Sequence, residues 1–148
     1  MLSDAHSMVA IDSSVLIDLL GNDARADSAE TCLRVALDAG PVVVSDVVIS
    51  EVTAGLGHGS EMADAIEEMG VHYLPLELRA AIRAGEMQRR YKDRLQKQGE
   101  PPRVRRTVAD FLVGAHALLQ CNGGLITRDA GFFRDYFKGL KVIVPKPR

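Results

Sequence analysis

The stretch Met8-Val9-Ala10-Ile11-Asp12 is an apolar run that ends in an acid, and it is the most informative part of the chain. A short uninterrupted apolar run followed by helix-forming sequence predicts a buried strand. Leu125-Ile126-Thr127-Arg128 leads in the same way into Asp129. In an open α/β sheet, ligands bind at the edge formed by the C-terminal ends of the strands. The two runs therefore predict that Asp12 and Asp129 lie together at a ligand-binding edge.

Strand-like and helix-like segments alternate along the whole chain. Apolar runs predict strands at 8–12, 42–44, 71–74, 125–128 and 142–144, and longer amphipathic or apolar stretches between them predict helices. This alternation is typical of a parallel sheet covered by helices on both faces. The predicted fold class is therefore α/β, a three-layer α/β/α sandwich with a parallel sheet of about five strands, in a single domain over residues 1–148.

The composition is that of an ordinary globular protein. No stretch approaches the ~18 uninterrupted apolar residues of a membrane helix, and the N-terminus lacks the basic region of a signal peptide. Cys32 and Cys121 lie among apolar helical residues, which predicts buried, reduced thiols. These features predict a cytoplasmic location and no membrane contact.

The charges divide unequally between the two halves of the chain, although the net charge is only −2. Residues 1–75 hold 13 acids and 2 arginines, and residues 76–148 hold 7 acids and 16 lysines or arginines. A split of this kind suggests an anionic partner for one face or a basic partner for the other. The charges alone do not choose between RNA, DNA and another protein.

Two further acids, Glu51 and Asp110, lie in otherwise apolar helical stretches. Helices in such folds run antiparallel to the strands, so the first turn of a helix, where Asp110 lies, is at the same edge as the strand tips. Glu51 is six residues after Ser45, about 8–9 Å along its helix. Its longer side chain, leaning towards the helix N-terminus, compensates for that depth. Asp12, Glu51, Asp110 and Asp129 are therefore predicted to converge.

Convergent carboxylates repel one another and normally persist only around a divalent cation. Asp12, Asp110 and Asp129 are the predicted metal ligands, and oxygen-only ligands favour Mg²⁺ or Mn²⁺ over Zn²⁺. The four histidines show no metal-ligand spacing, and the sequence has no phosphate-binding loop. The predicted cofactor is therefore Mg²⁺ or Mn²⁺.

Each of the four acids also has an ordinary structural explanation. Asp12 is suited to cap the helix that follows it, and Asp110 is suited to be the reciprocal residue of a capping box with Thr107. Glu51 fits a solvent-facing position on an amphipathic helix, and Asp129 fits a turn. The metal hypothesis differs from these explanations because it requires all four acids at one edge.

Four segments of the chain resemble, in order, the four motifs of PIN domains. They are Ile-Asp-Ser-Ser-Val-Leu-Ile-Asp at 11–18, Ser-Asp-Val-Val-Ile-Ser-Glu-Val at 45–52, Val-Ala-Asp-Phe-Leu-Val-Gly-Ala-His-Ala at 108–117 and Leu-Ile-Thr-Arg-Asp-Ala-Gly-Phe-Phe at 125–133. Together with Val-Ile-Val-Pro at 142–145, they span nearly the whole chain. Within the family, the sequence is most similar to the VapC-type toxins of bacterial and archaeal toxin–antitoxin pairs.

The resemblance implies a metal-dependent ribonuclease whose acidic set is Asp12, Glu51, Asp110 and Asp129. It further implies that the hydroxyls of Ser14 and Thr127 support the carboxylates. The partners it implies are an RNA substrate, an antitoxin protein and a second copy of the chain in a homodimer.

Basic residues are densest between positions 89 and 106. Arg103, Arg105 and Arg106, with Arg128 beside Asp129, are the predicted nucleic-acid-binding residues. The alternative is that the basic run is a solvated helix face followed by a loop. In the same helix, Met87, Tyr91 and Leu95 form an i, i+4 stripe that fits either the core or a dimer seam.

Other functions compete with a ribonuclease. A DNA-directed nuclease of similar architecture and a non-catalytic protein-binding module both fit the divided charge. A phospho-receiver domain also has an acidic pocket in a parallel α/β fold, but four dispersed acids fit it poorly. Cleavage of matched RNA and DNA, Mn²⁺ binding and phosphodonor trapping distinguish these alternatives.

Overall fold

The computed structural model describes residues 7–21, 24–57, 59–102 and 105–146, and within them the chain forms five strands and seven helices. In chain order they are β1 (Val9–Ile11), α1 (Ser13–Gly21), α2 (Ala26–Ala39), β2 (Val42–Val44), α3 (Asp46–Leu56), α4 (Gly59–Glu68), β3 (Val71–Tyr73), α5 (Leu78–Gln98), α6 (Val108–Gln120), β4 (Gly124–Ile126), α7 (Ala130–Tyr136) and β5 (Val142–Ile143).

The five strands form one parallel sheet in the order β3-β2-β1-β4-β5. In this register Ala10 of the central strand β1 lies opposite Val43 of β2 and Leu125 of β4. Every residue of β1, β2 and β4 is buried, as expected for uninterrupted apolar strands covered on both faces. The predicted α/β/α sandwich with a parallel sheet of five strands is confirmed.

The strand order creates a crevice between β1 and β4. The chain adds β2 and β3 on one side of β1, and then returns to add β4 and β5 on the other side. Crossovers on the two sides leave in opposite directions at this switch point, which is where open α/β sheets bind ligands. Asp12 follows β1, so it lies at this point of the sheet edge.

The start of α3 is fixed by its N-cap. The Ser45 hydroxyl accepts a hydrogen bond from the Val48 N–H at 3.3 Å, as the sequence predicts. The helix ends at Gly57, whose φ of 74° lies in the left-handed region that favours glycine. These two ends fix the position of Glu51 in the second turn of the helix.

The long helix α5 packs along α6, and their contact forms part of the core. Met87 and Tyr91 are buried there, so the core explanation of their stripe is correct for these two residues. On α6, a Cβ at Gly114 would lie 2.3 Å from the Phe137 ring. Glycine at this position therefore allows the ring to lie directly against the helix backbone.

Several boundaries differ from the sequence prediction by one or two residues, and two of them bear on the position of Asp129. Strand β4 ends at Ile126 instead of 128, because its neighbour β5 has only two residues and the ladder stops with the Thr127 N–H bonded to the Ile143 carbonyl at 2.9 Å. The sequence predicts the last short helix at 132–137, but the helix begins at Ala130. Asp129 is thus presented by a turn that leads directly into α7.

In the part of the chain that the structure describes, every helix is too short or too polar to cross a membrane.

Candidate active site

Asp12 is the buried centre of the candidate site, with 7% of its surface exposed. Its backbone N–H donates to the Ile126 carbonyl at 2.9 Å, so the residue extends the pairing of β1 with β4. Its carboxylate receives three short hydrogen bonds, from the Ser13 N–H at 2.8 Å, the Ser14 hydroxyl at 3.1 Å and the Thr127 hydroxyl at 2.6 Å. The acid both begins α1 and points into the sheet edge.

The hydroxyls of Ser14 and Thr127 connect this carboxylate to the turn after β4. Thr127 Oγ1 accepts from the Asp129 N–H at 3.0 Å while donating to Asp12 Oδ2. Ser14 Oγ accepts from the Arg128 N–H at 3.2 Å and donates to the same oxygen. Each hydroxyl therefore uses both its donor and an acceptor position, and the two fix the Asp12 carboxylate relative to Asp129.

The environment of Asp12 opposes its ionisation. Burial raises the pKa of the Asp12 carboxyl, and the hydrogen bonds from Thr127, Ser13 and Ser14 only partly offset this. The negative charge of Asp110 raises the Asp12 pKa further. A carboxylate held in this way attracts a cation.

Glu51 lies half-buried on α3 within electrostatic reach of the same acids. Burial raises the pKa of the Glu51 carboxyl, the charges of Asp12 and Asp110 raise it further, and a hydrogen bond from the Ser13 hydroxyl lowers it. Its position thus differs from the alternative of a fully solvated helix face. Asp12, Glu51 and Asp110 are mutual electrostatic neighbours.

Asp110 has the structural role that its sequence context suggested. Its Oδ2 accepts the Thr107 N–H at 2.8 Å, which is the reciprocal bond of a capping box at the start of α6. The same carboxylate raises the pKa of the Asp12 and Glu51 carboxyls, so it also faces the acidic edge. The two interpretations of Asp110 are compatible.

Asp129 carries an internal counter-ion. The Arg106 guanidinium pairs with both carboxylate oxygens, Nη1 with Oδ2 and Nη2 with Oδ1, the latter at 3.3 Å. The Arg106 side chain is only 19% exposed, and its guanidinium carbon lies 4.4 Å from the Phe132 ring centroid. Burial lowers the pKa of Arg106, but Asp129 and Asp110 raise it more strongly. The sequence analysis predicts that Arg106 binds nucleic acid. In the structure, its guanidinium faces the acids of the site.

Arg128 is also directed inwards. Its Nε donates to Asp18 Oδ2 at 2.7 Å, and its two Nη atoms donate to the carbonyls of Pro145 and Arg25 and to the Ser28 hydroxyl. These bonds tie α1, α2 and the segment after β5 to the turn that carries Asp129. The Arg128 guanidinium is therefore occupied by contacts within the protein, and its contact with nucleic acid stays a prediction.

Of the remaining predicted basic residues, Arg105 is exposed, and Arg103 lies outside the described residues. The residue that sequence reasoning missed is Asp18, which is 3% exposed. The sequence hint for Asp18 was that it is an acid within the apolar stretch of α1. Its ion-pair partner Arg128 is 110 positions away along the chain, so the pairing was not apparent from local sequence.

The four predicted acids offer the carboxylate oxygens that Mg²⁺ and Mn²⁺ prefer, and Asp12, Glu51 and Asp110 are close enough for their charges to interact. Two of the four carboxylates, however, already have a partner within the protein. Within the described ranges, no group of three or more His, Cys, Asp or Glu side chains is arranged to hold a metal ion. The two acids that already have partners there are Asp110, which accepts the Thr107 N–H, and Asp129, which pairs with Arg106.

Comparison with known proteins identifies the family. Residues 9–138 match the family described as PIN domain. No curated protein sequence matches the chain.

Two solved structures share the fold. The chain is similar to a crystal structure of VapBC2 from Rickettsia felis bound to a DNA fragment from their promoter, with a TM-score of 0.69, 14% identity, and coverage of 94% of this chain and 99% of that chain. It is also similar to a toxin–antitoxin complex from Klebsiella pneumoniae, with a TM-score of 0.59, 21% identity, and coverage of 95% and 99%.

We expect Asp12→Asn to stabilise the metal-free protein by about 1 kcal/mol at pH 8, or about 2–4 °C in Tm. The amide removes a buried charge that Asp110 repels. The advantage should shrink as the pH falls towards 5. Because the folded wild type has the raised Asp12 pKa, it binds more protons than the unfolded chain in that range and gains stability. Thermal unfolding in EDTA at both pH values measures this.

The matched control is Asp18→Asn, which removes an acid that has a counter-ion in Arg128. It should lower Tm at both pH values. An Asp12→Asn protein with the same Tm as the wild type at pH 8 and pH 5 would contradict our description of the Asp12 environment.

Proposed function

Since this chain belongs to the PIN domain family, we propose that it is a divalent-metal-dependent endoribonuclease that hydrolyses RNA phosphodiester bonds. We further propose that it is the toxin of a toxin–antitoxin pair. The observation that carries the proposal is the buried Asp12 carboxylate at the β1–β4 crevice, with the negative charges of Glu51 and Asp110 within reach. Such a cluster is costly for folding and is suited to catalysis.

The residues that would hold Mg²⁺ or Mn²⁺ are Asp12 and Asp110, with Asp129 and Glu51 binding directly or through water. When bound, the ion supplies positive charge that offsets the scissile phosphate and makes a water molecule a better nucleophile. Asp12 is the fixed member of the set, because the hydroxyls of Ser14 and Thr127 hold its carboxylate in one orientation.

Glu51 is the acid best suited to receive a proton from the attacking water. Its pKa is raised by burial and by the other acids, which brings it closer to the pH at which a carboxylate is an effective base. It is carried on α3, separate from the turn that holds Asp129. In this proposal no histidine takes part in the reaction.

We expect the protein to cleave single-stranded RNA with Mg²⁺ or Mn²⁺ and to lose this activity in EDTA. Asp12→Asn should lower the cleavage rate at least about 100-fold, since several kcal/mol of charge stabilisation depends on the ion. The measurement is a gel assay on a labelled RNA of mixed sequence, with Asp64→Asn on the exposed face of α4 as the matched control.

Undiminished cleavage by the Asp12→Asn protein would refute the mechanism. A matched DNA strand distinguishes the DNA-directed alternative, because a DNA nuclease would cleave that strand and spare the RNA. A non-catalytic module would cleave neither strand and would bind no Mn²⁺.

Arg105 is the described residue that we propose to contact the RNA backbone, and Arg103 is its proposed neighbour outside the described residues. Arg105 is exposed and lies two residues before Thr107, which caps the helix that carries Asp110. In Arg105→Gln, the slope of log affinity against log salt should fall by about 0.7, the value for one lost phosphate contact on a single strand. Fluorescence anisotropy in EDTA measures binding without cleavage. Arg34→Gln on α2 is the control, and an equal slope for the two variants would exclude Arg105.

We propose an antitoxin partner, supported by the fact that both similar structures come from toxin–antitoxin systems.

We also propose a homodimer, because Leu78 and Ile82 form an apolar i, i+4 pair on α5 that is 78% and 57% exposed. Light scattering should give the mass of two chains for the wild type and of one chain for a Leu78→Glu, Ile82→Glu protein. Val35→Glu, at an exposed apolar position on α2, is the control. A wild type of single-chain mass would reject the dimer.

A further inference from the structure

Arg106 and Asp129 form a bidentate ion pair, and further contacts hold the arginine in place. The two terminal guanidinium nitrogens of Arg106 contact the two carboxylate oxygens of Asp129, and the guanidinium carbon lies over the Phe132 ring. The Arg106 backbone N–H also donates to the Tyr91 hydroxyl at 3.2 Å. The arginine is therefore held at its backbone and at its guanidinium, which fixes its position before any ligand binds.

Asp129, the acid that pairs with Arg106, is also a predicted ligand of the divalent cation. The Asp129 backbone is fixed by the bond from its N–H to Thr127, whose hydroxyl also donates to Asp12. The main chain thus places Asp129 next to Asp12, while Arg106 covers the carboxylate. A carboxylate that accepts a bidentate guanidinium has its strongest acceptor directions in use, and a divalent cation on the same oxygens would be repelled by the guanidinium charge.

We propose that Arg106 is a positioning residue that competes with the divalent cation for the carboxylate of Asp129, so that cation binding requires the guanidinium to leave. The inference rests on the proposed function only in taking Asp129 as a ligand of that cation. Arg106 then lowers the affinity for the cation in exchange for neutralising Asp129 when no cation is bound. Its effect acts through Asp129 and not through general charge repulsion.

The test is a titration of the EDTA-stripped protein with MnCl₂ alone, followed by calorimetry, with no RNA present. Arg106→Met keeps an unbranched apolar stem against Phe132 and removes the guanidinium. We expect it to bind Mn²⁺ at least about 5-fold more tightly than the wild type. Arg106→Lys, which keeps one charge and loses the two-pronged pairing, should lie between them.

The matched control is Arg94→Met. The Arg94 guanidinium also lies over an aromatic ring, 5.8 Å from the Tyr136 centroid, but among the residues that the structure describes it hydrogen-bonds the Tyr136 hydroxyl and no carboxylate. Its removal should leave the Mn²⁺ affinity unchanged. An equal gain in Arg94→Met would show that any cation near the cluster weakens metal binding, and would overturn the assignment to Arg106.

A double-mutant cycle isolates the route through Asp129. In an Asp129→Asn background, the gain from Arg106→Met should disappear, because the amide does not hold the guanidinium as an ion pair. A gain that persists there overturns the proposal. Unchanged or weaker Mn²⁺ binding by Arg106→Met also overturns it, and if that variant does not fold, the same outcome in Arg106→Lys does so.

Failure of this inference is distinguishable from failure of the proposed function. If the wild type binds Mn²⁺ and Asp12→Asn does not, the metal site stands, and the Arg106 variants alone decide the competition. If neither the wild type nor Arg106→Met binds Mn²⁺, both proposals fall.

Discussion

The hydrogen bond from the Thr127 hydroxyl to the Asp12 carboxylate is the interaction on which the candidate site depends. It joins residues 115 positions apart, one after β1 and the other after β4, at the point where the order of the sheet reverses. The same hydroxyl accepts the N–H of Asp129. A single threonine therefore sets the spacing of two acids, and the parallel pairing of β1 with β4 determines where that threonine lies.

The fold was predictable because its strands are uninterrupted apolar runs and its helix breaks fall at glycine and proline. Helix α3 was predictable even at its first residue, since Ser45 is a strong N-cap. The end of β4 was not predictable from its own residues. Thr127 and Arg128 suit a strand, and the ladder stops before them only because β5 is two residues long. Strand ends depend on the neighbouring strand, which local patterns do not contain.

The proximity of Asp12, Glu51 and Asp110 agrees with the sequence prediction, but what each carboxylate contacts was less predictable. The capping bond of Asp110 had a local signal in Thr107, three residues away. Arg106 and Asp129 are 23 positions apart, and Arg128 and Asp18 are 110 apart, so their pairing follows from the sheet order alone. Basic residues beside an acidic site suggested phosphate binding, but two of them serve as counter-ions of the protein's own acids.

An aromatic cluster beneath Arg106 connects two of the elements that carry the acids. Phe111 of α6 lies 5.1 Å from Phe132 of α7 between ring centroids, and Tyr91 of α5 lies 5.5 Å from Phe111. The helix that carries Asp110 and the turn that carries Asp129 thus both adjoin one cluster of packed aromatic rings. Glu51 projects from α3, on a different part of the scaffold. The ring contacts therefore join the elements that carry Asp110 and Asp129, whereas Glu51 reaches the same edge from a helix outside the ring cluster.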